Sequence, residues 1–515
     1  MKNLPPVSRA RKSLPSTRSN RIEWPMTALL AVTTGLSAFA FLTPQKLDSV
    51  LAQSRSASSG PQAVHDPGVR TDSVDAGQPL AGLAQTTGAL QFFNNGQQRF
   101  GEIESVQGGA NNGLGPRFNT NQCSSCHAQP SVGGSSPGAS VYPFVGPNPE
   151  TQVYNLDGAS NTLPSFVSAN GPVVEARFIH LLNPDGSASS TPDGGVHDLF
   201  TIQGRSDAGN CLLAQPAFEQ NLALGNVVFR IPTPVYGAGL IENIRDETIL
   251  SNMARNASQK QALGIAGHPN RNGNDGTVAR FGWKAQNKSL EVFAGEAYNV
   301  EMGITNELFP NERPSPDEEL ASGLPPSCLI NPTPEDRINF AVPAASPVTA
   351  RNAQVPSDTA QFAMFMRLLA PPSRSTTGIP GNPSASSIAA GSQLFSAIGC
   401  ALCHTPTLVT GSSSFAPALN HANANLYSDL LVHNMGVNLA DGVSQGGAGP
   451  NEFRTAPLWG LGQRIFFLHD GRTSDLLQAI EQHSSSGSEA NGVIENYNSL
   501  SANQQQALIN FLRSL

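Results

Sequence analysis

The sequence predicts a mainly α-helical protein with irregular and β insertions, built from two small helical units of which the first carries a large insert. Three observations lead to this prediction. One cysteine–histidine motif occurs twice, apolar residues recur at helical spacing beside it, and turn-forming residues are abundant between the two copies. Only 13% of the 515 residues are charged, against 49 glycines and 40 prolines, which favours a loop-rich globular protein over a coiled coil or a disordered chain.

Helical patterns flank the repeated motif. Residues 386–398, before the second copy, place their apolar side chains toward one side of a helix. At the end of the chain, Ser501 is a predicted N-cap for a helix over residues 503–515. Ala89–Phe100 predicts a helix before the first copy. The long stretch between the copies has turn signals and short apolar runs such as Val227–Ile231, which predict β-hairpins and irregular loops.

The repeated motif is C-x-x-C-H, which occurs as Cys123-Ser-Ser-Cys126-His127 and as Cys400-Ala-Leu-Cys403-His404. Two thiols one helical turn apart add to the vinyl groups of a haem, and the adjacent histidine becomes the proximal iron ligand. The alternatives are a zinc site and a thioredoxin-type redox pair. A zinc ribbon needs four ligands close together, whereas these pairs are far apart in the sequence. The motifs therefore predict two covalently bound c-type haems, with His127 and His404 as iron ligands.

The two remaining cysteines, Cys211 and Cys328, lie outside these motifs. In an oxidising compartment, leftover cysteines most often pair, so we expect a disulfide between them. Two buried free thiols are the alternative, because a sequence does not fix the distance between two side chains.

The N-terminal region resembles a targeting segment. Basic residues between Lys2 and Arg21 precede the uncharged run Met26–Leu42, and small residues suited to cleavage follow near residues 40 and 52. Residues 1–52 are therefore predicted to be a signal peptide, with an uncleaved N-terminal membrane anchor as the alternative. Residues 53–80 are predicted to be a flexible linker. Either alternative places the rest of the chain in the periplasm or an equivalent extracytoplasmic space.

The Pro/Ser/Gly-rich segment 371–387 is the predicted boundary between two domains. The first, residues 81–375, is an N-terminal haem domain with a large insert, and the second, residues 376–515, is a C-terminal cytochrome c domain. A short internal repeat indicates that the haem domain is duplicated: Phe229-Arg230 and the turn after it resemble Phe453-Arg454 and its turn. Chance similarity of two Gly/Pro turns is the alternative. The net charge of −8 argues against a nucleic-acid partner.

Four segments of the chain resemble the di-haem oxidoreductases, relatives of the bacterial di-haem cytochrome c peroxidases. They are GLGPRFNTNQCSSCHAQPSVGG, RFGWKAQNKSLEVFAGEAYNVEMGITNELFP, YSDLLVHNMG and EFRTAPLWGLGQRIFFLHDGRTSDLLQAIEQH. The resemblance implies two cytochrome c-like domains and an enzyme that reduces peroxide, or another small substrate, at the N-terminal haem. Electrons would enter through the C-terminal haem from a small redox donor, a cytochrome or a cupredoxin. In the relatives calcium lies between the domains, and here no residues can be assigned to it.

The resemblance also implies roles for individual residues. The peroxidases have an FHDG-like turn. The distal ligand of their C-terminal haem, usually methionine, lies fourteen residues after the histidine of that turn. In this chain the turn contains His469, and the matching position is His483. The second haem is thus predicted to have two histidine ligands, His404 and His483. The peroxidases' NPVEMG pattern matches Asn299–Gly303, so Glu301 is the predicted general acid/base. Trp283 is the nearest match to their inter-haem aromatic residue, with a packed core tryptophan as the alternative.

The first haem departs from many of the peroxidases. They have a second histidine soon after the N-terminal motif, whereas this chain has none between His127 and His180. We therefore expect an open first iron, with Met302, His433 and Met435 as other candidate ligands. An open iron also admits oxygenase or oxidase chemistry on an organic substrate, for which the insert of residues 136–370 could form a site. An electron-transfer cytochrome without substrate chemistry is the alternative from a different class.

Overall fold

The structure is a computed structural model and describes residues 63–72, 75–138, 146–315, 323–338 and 356–515. The predicted signal peptide or anchor, residues 1–52, lies outside the described residues. Within them, thirteen α-helices and five small antiparallel sheets form a mixed α/β fold. The prediction of a mainly α-helical protein is confirmed only in part, because helices and small sheets together form a mixed fold, and the division into two cytochrome c-like domains stays a prediction. In the part of the chain that the structure describes, no helix has both the length and the hydropathy to span a bilayer.

The helices are mostly short. In chain order they are α1 Ala89–Phe100, α2 Cys123–Cys126, α3 Glu150–Val153, α4 Phe218–Ala223, α5 Ala238–Glu242, α6 Asp246–Ala254, α7 Ala257–Ala262, α8 Leu290–Met302, α9 Asp358–Leu368, α10 Ala385–Ala397, α11 Leu476–Glu481, α12 Asn491–Asn498 and α13 Ala502–Arg513. The helix predicted over 89–100 is α1, and the one over 386–398 is α10 within one residue. Ser501 forms the predicted N-cap of α13 in a capping box with Gln504.

Two crossings between helices form the frame around the C-x-x-C-H motifs. Helix α1, before the first motif, crosses α9 at Gly96, where a Cβ would collide with the backbone of Gln361. Helix α10, before the second motif, crosses α13 at Gly391, where a Cβ would collide with the backbone of Ala507. Each motif therefore follows a helix that a later helix approaches closely at a glycine.

The strands are short and pair in small groups. They are β1 Arg117–Phe118, β2 Glu175–Phe178, β3 His180–Leu182, β4 Ala188–Pro192, β5 Val196–His197, β6 Phe200–Thr201, β7 Val227–Arg230, β8 Leu408–Val409, β9 Asn423–Ala424, β10 Val432–Asn434 and β11 Glu452–Arg454. Strand β2 lies between β5 and β7, and the remaining pairs are β1–β6, β3–β4, β8–β9 and β10–β11. The apolar run at 227–231 does form a strand, but its partner is the distant β2 instead of a neighbouring hairpin strand.

Apolar side chains form two main cores. The larger joins residues from Leu80 to Leu369 with a few from the later chain, among them Trp459. The smaller is formed mostly by residues 379–515, where Phe395 of α10 packs on Phe511 of α13 at a ring-centroid distance of 5.4 Å. The boundary predicted near residue 375 is compatible with this arrangement but stays a prediction.

Two connections fix the outer parts of the chain. Cys211 and Cys328 form a disulfide, which confirms their predicted pairing; their sequence separation is 117 residues. Part of the predicted linker is held against α13, because the Asp66 carboxylate accepts hydrogen bonds from Arg513 Nε at 2.7 Å and Nη2 at 2.5 Å. Both of these side chains are almost fully buried.

Candidate haem sites

The first C-x-x-C-H motif borders a cavity of about 1060 Å³. Helix α2 is a single turn, so it presents Cys123 and Cys126 to the cavity together. The ring of His127 follows, and its Nδ1 donates to the carbonyl oxygen of Gly134 at 3.1 Å. That hydrogen bond orients the ring, and the Thr233 backbone is a second polar neighbour of the imidazole. Burial lowers the pKa of His127 to about 4, so the imidazole is neutral, as a ligand must be.

The second motif borders a larger cavity of about 1420 Å³, which Cys400, Cys403, His404 and His483 all line. His404 Nδ1 donates to the carbonyl oxygen of Tyr427 at 3.0 Å, and His483 Nδ1 donates to that of Ala479 at 2.7 Å. Both histidines therefore keep Nε2 free, and burial lowers the pKa of each, to about 4 for His404. The predicted ligand pair lies in one cavity with both rings oriented by backbone carbonyls.

The motif cysteines do not form disulfides, unlike Cys211 and Cys328. Burial raises the pKa of Cys123 well above its ordinary value and that of Cys400 to about 12. Thiol–disulfide exchange requires the thiolate, so this environment disfavours the thioredoxin-type alternative. Two thiols, an oriented imidazole and an adjoining cavity fit a covalently bound haem at each motif.

Glu301 lines the first cavity together with His127. It belongs to the last turn of α8, whose N-cap Ser289 accepts a hydrogen bond from the Val292 N–H. Burial raises the pKa of Glu301 to about 8, and the nearby carboxylates of Glu175, Asp198 and Glu296 contribute in the same direction. The cavity thus contains a carboxyl that can hold or release a proton near neutral pH.

Glu150 is a second carboxyl of the first cavity, and no motif in the sequence indicated it. It is fully buried and accepts hydrogen bonds from the Val174 N–H and from the Asn148 side chain. Burial raises its pKa to about 8. Its place depends on the contact between the start of α3 and Val174, the residue before β2, which lies 24 positions later in the chain.

Trp283 lines both cavities and a smaller one of about 510 Å³ that shares residues with each. Its Nε1 donates to the carbonyl oxygen of Ile231 at 2.9 Å, and its ring stands edge-on to His469 at 6.4 Å. His469 in turn stacks on Phe453. A half-buried aromatic side chain thus borders both candidate haem sites, and its role between the haems stays a prediction.

The other candidate ligands have different surroundings. Both ring nitrogens of His433 face carboxylates, Nδ1 that of Glu489 at 2.7 Å and Nε2 that of Asp429 at 3.1 Å, so neither is free for iron. Met435 lines the second cavity. Met302 lines the first cavity, where its sulfur lies 3.7 Å from Cys123 Sγ. Among the described residues that line the first cavity, His127 is the sole histidine.

Two cavities, each with a paired-cysteine and histidine motif, are typical of multi-haem redox proteins. A family model described as "Di-haem oxidoreductase, putative peroxidase" matches residues 198–515, which include the second motif and Glu301. The chain belongs to this family of di-haem oxidoreductases. The first motif precedes the matched residues.

No curated protein matches the chain. Among solved structures, hydrazine synthase of Kuenenia stuttgartiensis, from crystals pressurised with xenon, is similar over 33% of this chain and 59% of that chain, at 16% identity and a TM-score of 0.20. The match thus spans about three-fifths of that chain, and a TM-score this low carries no argument about fold or function.

Proposed function

We propose that this protein is an exported di-haem c-type cytochrome that reduces peroxide at its N-terminal haem, with electrons entering through its C-terminal haem. The main support for this proposal is the position of Glu301 in the first cavity. A carboxyl with a pKa near neutrality shares a cavity with an oriented histidine and two haem-attaching cysteines. This is the combination that peroxide cleavage requires, because one group must move a proton between the two peroxide oxygens.

The roles in the first cavity follow from the residues. Cys123 and Cys126 would attach the haem, and His127 would hold its iron on the proximal side. When bound, the haem supplies an iron that exchanges electrons with peroxide. Glu301 would accept a proton from one peroxide oxygen and return it to the other as the O–O bond breaks, so that the second oxygen leaves as water with electrons that the haem would supply. Burial favours this role, because a carboxyl whose pKa is about 8 populates both protonation states near neutral pH, with about one-tenth ionised at pH 7 and half at pH 8.

The roles in the second cavity differ. Cys400 and Cys403 would attach the second haem, and His404 with His483 would hold its iron from both sides. A bis-histidine iron has no open position for a substrate, which suits electron entry from a small donor, a cytochrome or cupredoxin. Imidazole in place of the peroxidases' methionine lowers the reduction potential. Trp283 would be the contact between the two haems. A calcium ion between the domains stays a prediction without assigned residues.

The test is an electron paramagnetic resonance and absorption spectrum of the oxidised protein, with and without hydrogen peroxide. We expect one high-spin and one low-spin haem, with loss of the high-spin signal on addition of peroxide. Two low-spin haems that stay indifferent to peroxide after partial reduction would make the protein an electron carrier. A high-spin haem that reacts with dioxygen and an organic substrate, and not with peroxide, would assign it to the oxygenases.

A further inference from the structure

Two arginines beside the second cavity have no anionic partner among the described residues. Arg454 is 8% exposed, and Arg454 and Arg464 both line the second cavity and the smaller cavity next to it. Arg454 Nε donates to the carbonyl oxygen of Gly282 at 2.9 Å, and Arg464 Nη2 to that of Pro457 at 3.2 Å. Arg464 Nε is buried without a hydrogen-bond partner. The described chain brings no carboxylate within ion-pair distance of either guanidinium.

Such a pair is costly unless something neutralises it. A buried charge needs an opposite charge and hydrogen bonds to offset its loss of hydration. Other buried arginines of this chain have that partner, as Arg230 has Asp441 at 2.7 Å and Arg205 has Asp207 at 2.9 Å. Burial lowers the pKa of Arg454 to about 10, and the proximity of Arg464 adds to the effect. The pair is therefore two like charges directed at a shared space.

The short internal repeat, Phe-Arg followed by a turn, gives an independent reason to connect these arginines with a cofactor. Arg230 ends β7 and Arg454 ends β11, at matching positions of the two Phe-Arg sequences. After each strand, a glycine with positive φ, Gly237 or Gly460, starts a short helix. Arg230 borders the first cavity and also has a buried Nε without a partner. The repeated element thus brings one arginine to each candidate haem site.

We propose that Arg454 and Arg464 bind the propionate carboxylates of the haem in the second cavity. The proposal rests on the haem of the proposed function, not on its peroxide chemistry. Propionates are the anionic groups of a haem, and a planar guanidinium fork matches a carboxylate. Trp283 lines the same two cavities as both arginines, so the proposed propionate contacts lie in the space that the tryptophan also borders.

The test uses the intact protein with its haems. Arg454→Gln and Arg464→Gln are compared with Arg454→Lys and with Arg255→Gln, a control at an exposed position at the end of α6. The readouts are the propionate-bending band in the resonance Raman spectrum and the midpoint potential of the low-spin haem between pH 5 and pH 9. Both are independent of peroxide turnover.

We expect both Gln variants to shift the Raman band and to lower the midpoint potential, since a lost cation no longer favours the reduced haem. A tenfold change in the reduced-to-oxidised ratio corresponds to about 59 mV for one electron. The potential should also become more pH-dependent, because a propionate without its arginine takes up a proton more readily. Arg454→Lys should restore the charge effect in part.

The proposal would be overturned if Arg454→Gln and Arg464→Gln both have the same Raman band as Arg255→Gln and the same pH dependence of the midpoint potential. A fall in the midpoint potential that is equal at every pH would not rescue it. The Arg464→Gln variant carries the test if Arg454→Gln does not accumulate as folded protein. Fewer than two haems by mass spectrometry of the unmodified protein would contradict the cofactor itself, an outcome distinct from unchanged spectra with two haems present.

Discussion

Substitution of Glu301 by glutamine removes the proton-transfer group of the first cavity with little change in shape. General acid–base catalysis contributes roughly 10²–10⁴-fold to rate, so we expect kcat/KM for hydrogen peroxide to fall by about that factor. The haem spectra should be unchanged, because Glu301 is not a predicted iron ligand. The loss should appear in the bimolecular reaction with peroxide and not in the reduction of the second haem by a donor.

The pH dependence follows from the raised pKa of Glu301, about 8. The ionised form accepts the peroxide proton, so activity should rise with pH through that value. About one-tenth of Glu301 is ionised at pH 7 and half at pH 8, which predicts a roughly fivefold increase in kcat/KM between them. The groups that raise this pKa are Glu175, Asp198 and Glu296, so neutralisation of one of them should move the profile to lower pH.

Stopped-flow measurement of the peroxide reaction from pH 6 to pH 9 checks both expectations. The matched control is Glu291→Gln on the same helix, whose carboxylate faces Arg367 at 3.6 Å outside the cavity lining. A rate for Glu301→Gln equal to that of the control would refute the reasoning. If the pH dependence of the peroxide reaction persists in Glu301→Gln but disappears in Glu150→Gln, the proton-transfer group is Glu150 instead.

Three further predictions concern ligation and stability. His483→Ala should convert the second haem from low-spin to high-spin, as seen by electron paramagnetic resonance, and an unchanged low-spin signal would exclude His483 as a ligand. Replacement of Cys211 and Cys328 by alanine should lower the free energy of unfolding by about 4–5 kcal/mol in the chain-entropy model, because the two cysteines are separated by 117 residues. Urea denaturation of variant and wild type measures this difference. Asp66→Asn should cost about 3–5 kcal/mol at pH 7, because it leaves the Arg513 cation buried and unpaired. The pKa of Asp66 is lowered, because its hydrogen bonds and ion pair with Arg513 outweigh the effect of burial. The ion pair therefore stabilises the fold above about pH 4, and this stabilisation is lost as the pH falls through the folded-state pKa. The thermal unfolding temperatures of variant and wild type should converge in acid, and a difference that stays constant with pH would contradict the ion pair.

The local parts of the fold were predictable from the sequence. Helices α1, α10 and α13 follow from apolar spacing and, for α13, from the cap at Ser501, all of which are properties of neighbouring residues. The strand at 227–230 was also predictable, but its partner was not. It pairs with β2 across about 50 residues of chain, and such pairing depends on tertiary packing that a local pattern does not encode.

The candidate site divides in the same way. The motif spacing identified the cysteines and histidines, because haem attachment fixes their order in the chain. Glu150, Arg454 and Arg464 could not be identified as lining residues, because single Glu and Arg residues occur throughout a surface and only folding shows which are buried. Trp283 was an ambiguous match in the sequence, and its position beside both cavities depends on the loop before α8.

The two cavities differ in a way that follows the large insert. A close helix crossing at a glycine, Gly96 or Gly391, occurs beside each motif, and the insert itself contributes the helix that crosses at Gly96. The insert supplies three carboxyl groups that line the first cavity, Glu150, Glu175 and Glu301. The second cavity is lined by one carboxylate, Glu489, which is hydrogen-bonded to His433, together with the two arginines and many aliphatic side chains. Proton transfer to and from peroxide needs a carboxyl beside the cofactor, whereas electron transfer does not. This difference in carboxyl groups is the physical reason for the proposal that peroxide is reduced in the first cavity and that electrons enter through the second.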